Sequence, residues 1–402
     1  MQSLPGFRDF LPGDCAVRNY IFSQWREVAR RYGFVEWDGP VLEPTELYKK
    51  KSGDEIVAQL FNFTDKGERE VAMRPELTPT LARVVAAHER EFKKPLKWFS
   101  IPQCFRYEKQ QRGRLREHFQ FNADIIGEDS LGADVELISL CIDVLRGFGL
   151  EASDVVVRIS DRQFWLDFLR AQKVPEDRWQ KTLEIIDKSE RQPREKISEQ
   201  LGDLAPGVFE ILDGGGRSEK LDTIIEQLRH RGLAEFAEVD LRIVRGLAYY
   251  TGVVFEAFDR AGKLRAIAGG GRYDNLINQL SDGAVSLPAI GFAMGDVVLG
   301  ELLREKGIAP NEQSPDVYVV IAKEERRPDA LRQIQQLRDK NLRVDYPLVA
   351  TKVGKQFQTA EQLGAKFAVL FGDEWPQVKI KNLSSREEQL LTQEELLAHL
   401  AR

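Results

Sequence analysis

Cysteine is scarce. Three thiols in 402 residues, Cys15, Cys104 and Cys141, are odd in number, widely spaced and without a CxxC pair. Neither a disulfide framework nor a thiolate zinc site is expected, and the chain reads as cytoplasmic. No run of 18 or more apolar residues occurs, so no membrane-spanning helix is expected. The start MQSLPGFRDF lacks the basic lead and apolar stretch of a secretory signal. An excess of positive charge is missing too: 58 Lys and Arg face 64 Asp and Glu, a formal net charge of −6. Any nucleic acid must therefore be held by local patches, without the help of an overall basic field. There is no GxxxxGK[ST] loop, and the run Gly269–Gly271 lacks the spacing of a dinucleotide fingerprint. The histidines, His88, His118, His230 and His399, show no metal-ligand spacing, and no serine, histidine and acid constellation is apparent. Zinc and hydrolytic chemistry recede, and no metal site built by the protein alone is expected.

With 42% hydrophobic and 30% charged side chains, the chain is long enough for two or three separately cored domains. From Asp14 to Gly33, Val17, Ile21, Trp25 and Val28 recur at helical spacing, with Asp14 placed to cap and Gly33 to stop. Trp98–Arg106 and Phe119–Gly127 predict two antiparallel strands joined by a charged loop. A helix over Leu131–Phe148 and a strand over Asp154–Ser160 follow. Residues 161–238 change character, with charged helical stretches such as EIIDKSERQPREKISEQ, and are expected to form a helical insertion domain. This divides a β-rich domain into a first part, 1–160, and a second part, 239–308. In the second part, strands are expected over Arg242–Phe258, Leu264–Ala268 and Ala289–Met294, with a sharp turn at Gly269–Gly271 and a helix ending near Lys306. Gly307–Ser314 has linker composition, and residues 315–402 alternate DVYVVIA, helix, LRVDY, helix, KFAVLFG, VKIKNL and a last helix, the pattern of a separate α/β domain.

The most informative segment is FRYEKQQRGRLREHFQ, Phe105–Gln120, where Arg106, Lys109, Arg112, Arg114 and Arg116 oppose the single acid Glu108 up to residue 116. Residues two apart on a strand share a face, so Arg114 and Arg116 can point together and Arg106 can meet them across the hairpin. Planar guanidinium forks so arranged suit a polyphosphate. A basic loop alone is more often a solvated hairpin. Two further polar clusters in apolar surroundings shift that balance: AMRPELTPTLAR, Ala72–Arg83, and RIVRGLAYYTGVVFEAFD, Arg242–Asp259. A carboxylate, a tyrosine pair and arginines together fit a zwitterionic ligand beside phosphate, as an amino acid beside ATP would be.

At these residues the sequence resembles the histidyl-tRNA synthetases, a family of class II aminoacyl-tRNA synthetases. The matching features are LPGFRDFLP at Leu4–Pro12, RPELT at Arg74–Thr78, FRYE with GRLREHFQ, RGLAYYTG at Arg245–Gly252 and AGGGRYDNL at Ala268–Leu276. The resemblance implies an α+β fold: an antiparallel six-stranded catalytic sheet with flanking helices, a helical insertion, and a C-terminal α/β anticodon-binding domain. It implies a ligase that activates histidine with ATP and Mg2+ and transfers it to the 3′ end of tRNA(His), working as a homodimer. Residue by residue it puts Glu76, Thr78 and Gln120 on the α-amino group of histidine, and Asp124, Tyr249 and Tyr250 near the imidazole. Arg106 and Arg245 would act at the α-phosphate, Glu108 and Arg114 would help hold ATP, and Gln111 and Arg112 would face the acceptor end of tRNA.

Three positions depart from the commonest family pattern. The last motif usually reads glycine, leucine, glutamate, arginine, with its arginine on the γ-phosphate; this chain has Gly295, Asp296, Val297 and Val298. Ala248 stands where aspartate is usual, and Asp124 where glutamate is usual. The GDVVLGELL form resembles a divergent branch that includes plant organellar enzymes, and Arg272 or another nearby arginine is the candidate to replace the lost contact. The competing expectation is a non-catalytic paralogue acting as a histidine-sensing regulatory subunit, which would typically lack the C-terminal domain. A pure RNA-binding module is a third, opposed by Glu76, Arg106, Gln120 and Arg245.

Overall fold

The computed structural model describes residues 2–52, 54–108, 113–190, 192–244, 249–308, 310 and 314–400. Two compact units divide the chain, Met1–Pro310 and Asn311–Arg402. No helix among the described residues is long and apolar enough to cross a membrane.

The first unit is built on six strands, each antiparallel to the next. Across the sheet they run Leu96–Ser100, Glu117–Ile126, Ala289–Gly295, Ala268–Arg272, Val253–Asp259 and Val155–Asp161. Short parallel strands, Val35–Glu36 and Ala237–Val239, flank the two edges. This is the six-stranded antiparallel sheet that the motifs implied. The stretch expected as one strand from Trp98 is two, ending at Ser100 and resuming at Gln103–Phe105, because Pro102 has no N–H to give a ladder. Likewise, within the stretch expected as a strand from Arg242, the described residues 242–244 and 249–252 are not strand, and a strand runs over Val253–Asp259.

Alternation along the strands sorts the two faces of the sheet. In Glu117–Ile126, Phe121, Ala123 and Ile125 point into the main core, whereas Gln120, Asn122 and Asp124 point to the other face. The core face is covered by the helices Pro12–Arg31, Leu131–Gly147 and Asp296–Glu305, whose Trp25, Leu137 and Leu299 are fully buried. Aromatic rings carry the contact through the layer: Trp25 stacks on Phe121 at 5.7 Å, and Phe292 lies 5.6 Å from Phe121 and 6.0 Å from Phe255. The first helix starts at Pro12, a residue suited to a first turn, so Asp14 lies inside that turn and the cap position falls to Leu11. That corrects the expectation that Asp14 caps.

The glycine run is the larger correction. Gly269, Gly270 and Gly271 make no turn; they form the middle of strand Ala268–Arg272, paired on both sides. A Cβ at Gly270 would stand 2.3 Å from the carbonyl oxygen of Gly291 and 2.4 Å from the Cβ of Phe292. Close approach of neighbouring strands, not a reversal of the chain, is what requires glycine there.

Among the described residues between the strands Val155–Asp161 and Val253–Asp259 lie five α-helices, Arg162–Ala171, Glu176–Asp187, Arg194–Leu201, Ala205–Glu210 and Glu219–His230. Asp161 caps the first and Ser218 the last. The second unit has a five-stranded sheet: Val344–Asp345, Val317–Ile321 and Phe367–Phe371 run parallel, then Val378–Asn382 and Glu388–Leu391 run antiparallel. Helices Arg327–Asp339, Val353–Gln362 and Gln393–Leu400 pack with it. The strand Glu388–Leu391 was not expected, being mostly exposed and without an apolar face to announce it.

Candidate active site

On the sheet face opposite the helices lies a cavity of about 1520 Å³. Its floor follows from register. Asp124 pairs with Gly291, Gly291 with Gly271, and Gly271 with Val254; one step along, Asn122 pairs with Ala293 and Ala293 with Gly269. The floor beside Asp124 and Asn122 is thus almost bare backbone, against which a flat ligand can lie. Asp124 leans over this floor, for a Cβ at Gly291 would meet its Oδ1 at 1.9 Å.

The cavity gathers residues from distant stretches. Glu76, Thr78, Arg106, Glu108, Arg114, Gln120, Asp124, Tyr249 and Tyr250 all line it. Arg245, Gln111 and Arg112, also singled out from the sequence, lie outside the described residues, as does Ala248.

Two carboxylates in the cavity differ in charge for local reasons. Glu76 follows the three-stranded sheet formed by Leu42–Pro44, Glu70–Met73 and Asn62–Thr64. Its Oε2 accepts from Lys51 Nζ at 2.6 Å. Burial favours its neutral form, but the ammonium of Lys51 and the guanidinium of Arg106 outweigh this and hold it below the usual carboxylate range. Asp124 is different. Burial pushes it up to about 7, and the hydrogen bond that it accepts from Tyr273 Oη at 2.5 Å, with the more distant Lys51, only partly opposes this. The Tyr273 hydroxyl itself is raised well above the usual tyrosine range by burial and by Asp124, so it remains the donor.

Lys51 was not singled out from the sequence, and Tyr273 entered only as part of the motif AGGGRYDNL. Lys51 ends a run of three lysines, Lys49–Lys51, that reads as a solvated face, yet its side chain is only 2% exposed. Besides binding Glu76, its ammonium sits 4.1 Å from the ring centroid of Tyr249. Tyr249 in turn lies 4.6 Å from Tyr250 and edge-on to Tyr273. The Lys51 ammonium is thus held between a carboxylate and an aromatic face.

Next to Glu76, Arg106 Nε donates to the Pro75 carbonyl at 3.0 Å, and Arg114, which also lines the cavity, pairs with Glu108. His118 is held neutral, lowered to about 3 by burial and by Arg106, Arg8 and Arg114. Arg8 fastens the N-terminal segment here through Glu117 at 2.6 Å and Asp296 at 2.9 Å, and Asp296 also accepts from the Phe119 N–H at 2.8 Å. Asp296, one of the residues that depart from the usual last motif, thereby ties its helix to the strand Glu117–Ile126. Burial raises Asp296 above the usual carboxylate range despite Arg8.

Arg272 does not take over from the arginine missing at Val298. Its guanidinium is buried against Asp134, with bonds of 2.6 and 3.1 Å, and also donates to the carbonyls of Glu128 and Ser130. It holds the helix Leu131–Gly147 to the sheet. In strand Ala268–Arg272, Gly269 lines the cavity, so alternation turns residue 272 to the opposite face.

Comparison with known proteins agrees with this architecture. The family described as "Histidyl-tRNA synthetase" matches residues 6–212 and 194–296, and "Anticodon binding domain" matches residues 316–402. The chain is 47% identical over 429 aligned residues to the histidine–tRNA ligase of Opitutus terrae, covering 99% of this chain and 97% of that one. It is 41% identical over 406 residues to the chloroplastic/mitochondrial histidine–tRNA ligase of Arabidopsis thaliana, covering 95% and 83%. The crystal structure of histidyl-tRNA synthetase from Nostoc sp. PCC 7120 has the same fold, with a TM-score of 0.86 at 24% identity over 99% of this chain and 98% of that one.

Proposed function

This chain belongs to the histidyl-tRNA synthetase family, and we propose that it is a histidine–tRNA ligase, forming histidyl adenylate from histidine and ATP and passing the acyl group to tRNA(His). The observation that carries the reading is one cavity with an ammonium place at Glu76, a titratable carboxylate at Asp124 and guanidinium groups at Arg106 and Arg114.

In this reading the α-ammonium of histidine takes the place now held by Lys51, on Glu76 with Thr78 and Gln120 around it. The imidazole lies on the glycine floor beside Tyr249 and Tyr250, and its N–H meets the ionised Asp124. Specificity comes from that polar contact, since a side chain without an N–H leaves Asp124 unpaired. The histidine carboxylate attacks the α-phosphorus in line. The protein contributes positioning and positive charge, with no covalent nucleophile. Arg106 and Arg245 stabilise the charge that develops at the α-phosphate, while Glu108 and Arg114 hold ATP. His118, neutral at working pH, adds no repulsion to the arginines around it. Pyrophosphate leaves, and Gln111 and Arg112 guide the acceptor end of tRNA(His).

Magnesium needs only one or two protein carboxylates when phosphates complete its shell, and Glu301, which lines the cavity, would supply one. When bound it withdraws charge from the leaving pyrophosphate. Residues 161–238 would serve as the insertion domain, the C-terminal unit would read the anticodon, and the protein would work as a cytoplasmic homodimer.

Charging of a tRNA(His) transcript tests the reading. Formation of histidyl-tRNA with release of AMP is the expected result. A protein that binds histidine but neither forms AMP nor charges the transcript would instead be the regulatory paralogue.

A further inference from the structure

Where the family resemblance implies an arginine on the terminal phosphate of ATP this chain has Val298, and the fold brings a further arginine, Arg265, to the same spot. Arg265 lines the cavity. Its Cδ lies 3.6 Å, and the Cγ2 of Val298 3.3 Å, from the single point where a Cβ on Gly113 would stand. Both side chains therefore flank one position, immediately before Arg114. The backbone fixes this meeting. Ile267 donates to the Ala257 carbonyl at 2.8 Å and accepts from the Gly295 N–H at 3.4 Å, so the segment leading into strand Ala268–Arg272 runs beside the start of helix Asp296–Glu305. Arg265 is two residues before Ile267, and Val298 is three after Gly295. A long side chain from the first segment thus arrives where one from the first turn of the helix would.

Val298 can offer a phosphate nothing, and Arg272 is committed to Asp134. Arg265 brings a planar fork of donors on a flexible stem that passes beside Gly113. We propose that Arg265 contacts the terminal phosphates of ATP in this chain, replacing the arginine that is absent at Val298. The assignment rests on the ligase reading and names the residue that completes its nucleotide site.

The test compares nucleotides that differ only in those phosphates. Calorimetric affinities for ATP and AMP, each with magnesium, and for histidine are measured on the full chain and on Arg265→Ala. Retained histidine binding and an unchanged circular dichroism spectrum establish folding. The variant is expected to lose about 10- to 100-fold in ATP affinity, the range of one charge-assisted hydrogen bond, and to keep its affinity for AMP and histidine. In the double variant Arg265→Ala, Val298→Arg, a guanidinium returned from the helix should recover most of the ATP affinity. Unchanged ATP affinity in Arg265→Ala would overturn the proposal. So would a parallel loss of ATP, AMP and histidine affinity, which would mark a structural role. Histidine-dependent pyrophosphate exchange by the unaltered chain, alongside either of those results, would leave the ligase reading standing and reject Arg265 alone.

Discussion

Replacing Tyr273 by Phe takes one oxygen from the cavity and leaves the ring that packs against Tyr249. That oxygen donates to Asp124 at 2.5 Å and is one of the groups that keep the carboxyl from rising further than about 7. A hydrogen bond to an ionised group contributes about 1.5–3 kcal/mol, and one pKa unit corresponds to about 1.4 kcal/mol. Its loss should therefore raise Asp124 by about one to two units. Because the ionised carboxylate receives the imidazole N–H, kcat/KM for histidine falls as pH drops through the pKa of Asp124 in the free enzyme. In Tyr273→Phe this acidic limb should move from near neutrality to about pH 8–9. At pH 7 the ionised fraction falls from about a half to between about a tenth and a hundredth, so kcat/KM for histidine drops about 5- to 50-fold. Pyrophosphate exchange at limiting histidine, followed from pH 6 to 9.5, reads the shift. An acidic limb that stays in place in Tyr273→Phe, or moves downward, would refute the reasoning, as would one that persists in Asp124→Asn.

Other consequences can be measured on the free protein. Asp124 has a folded pKa raised above its unfolded value, so its contribution to stability is full below about pH 4 and is lost as pH rises through about 7. Relative to Asp124→Asn, the wild type should lose up to about 4 kcal/mol across that window in urea unfolding; a flat difference would show that the carboxyl is not desolvated. Lys51→Met should destabilise the fold by about 3 kcal/mol, the low end for breaking a buried pair because Glu76 stays partly exposed, and no change in the denaturation midpoint would place Lys51 outside the pair. Gly270→Ala should cost about 1–3 kcal/mol or more, since its Cβ would overlap the neighbouring strand; a thermal midpoint equal to wild type would contradict the strand pairing.

Much of this was legible because the signals were periodic or dense. The alternation of Phe121, Ala123 and Ile125 with Gln120, Asn122 and Asp124 encodes both faces of one strand, and two of the arginines after Phe105, Arg106 and Arg114, line the cavity. Illegible features were those whose meaning depends on a partner remote in sequence. Three glycines read as a turn until Phe292 and Val254 are set against them. Lys51 reads as one more surface lysine until Glu76 and Tyr249 close around it, although Glu76 lies only 25 residues away. Arg272 and Arg265, seven residues apart, are indistinguishable as charges. Strand alternation and the buried Asp134 turn the first into a structural tie, and the cavity wall receives the second.

The central claim is that one cavity brings histidine and ATP together for adenylate formation. The most direct measurement is the exchange of labelled pyrophosphate into ATP by the full chain, with each of the twenty amino acids supplied in turn and no tRNA present. Exchange that depends on histidine and on none of the others is the predicted result. Absence of exchange with histidine, under conditions where the protein is folded and magnesium is supplied, would contradict it.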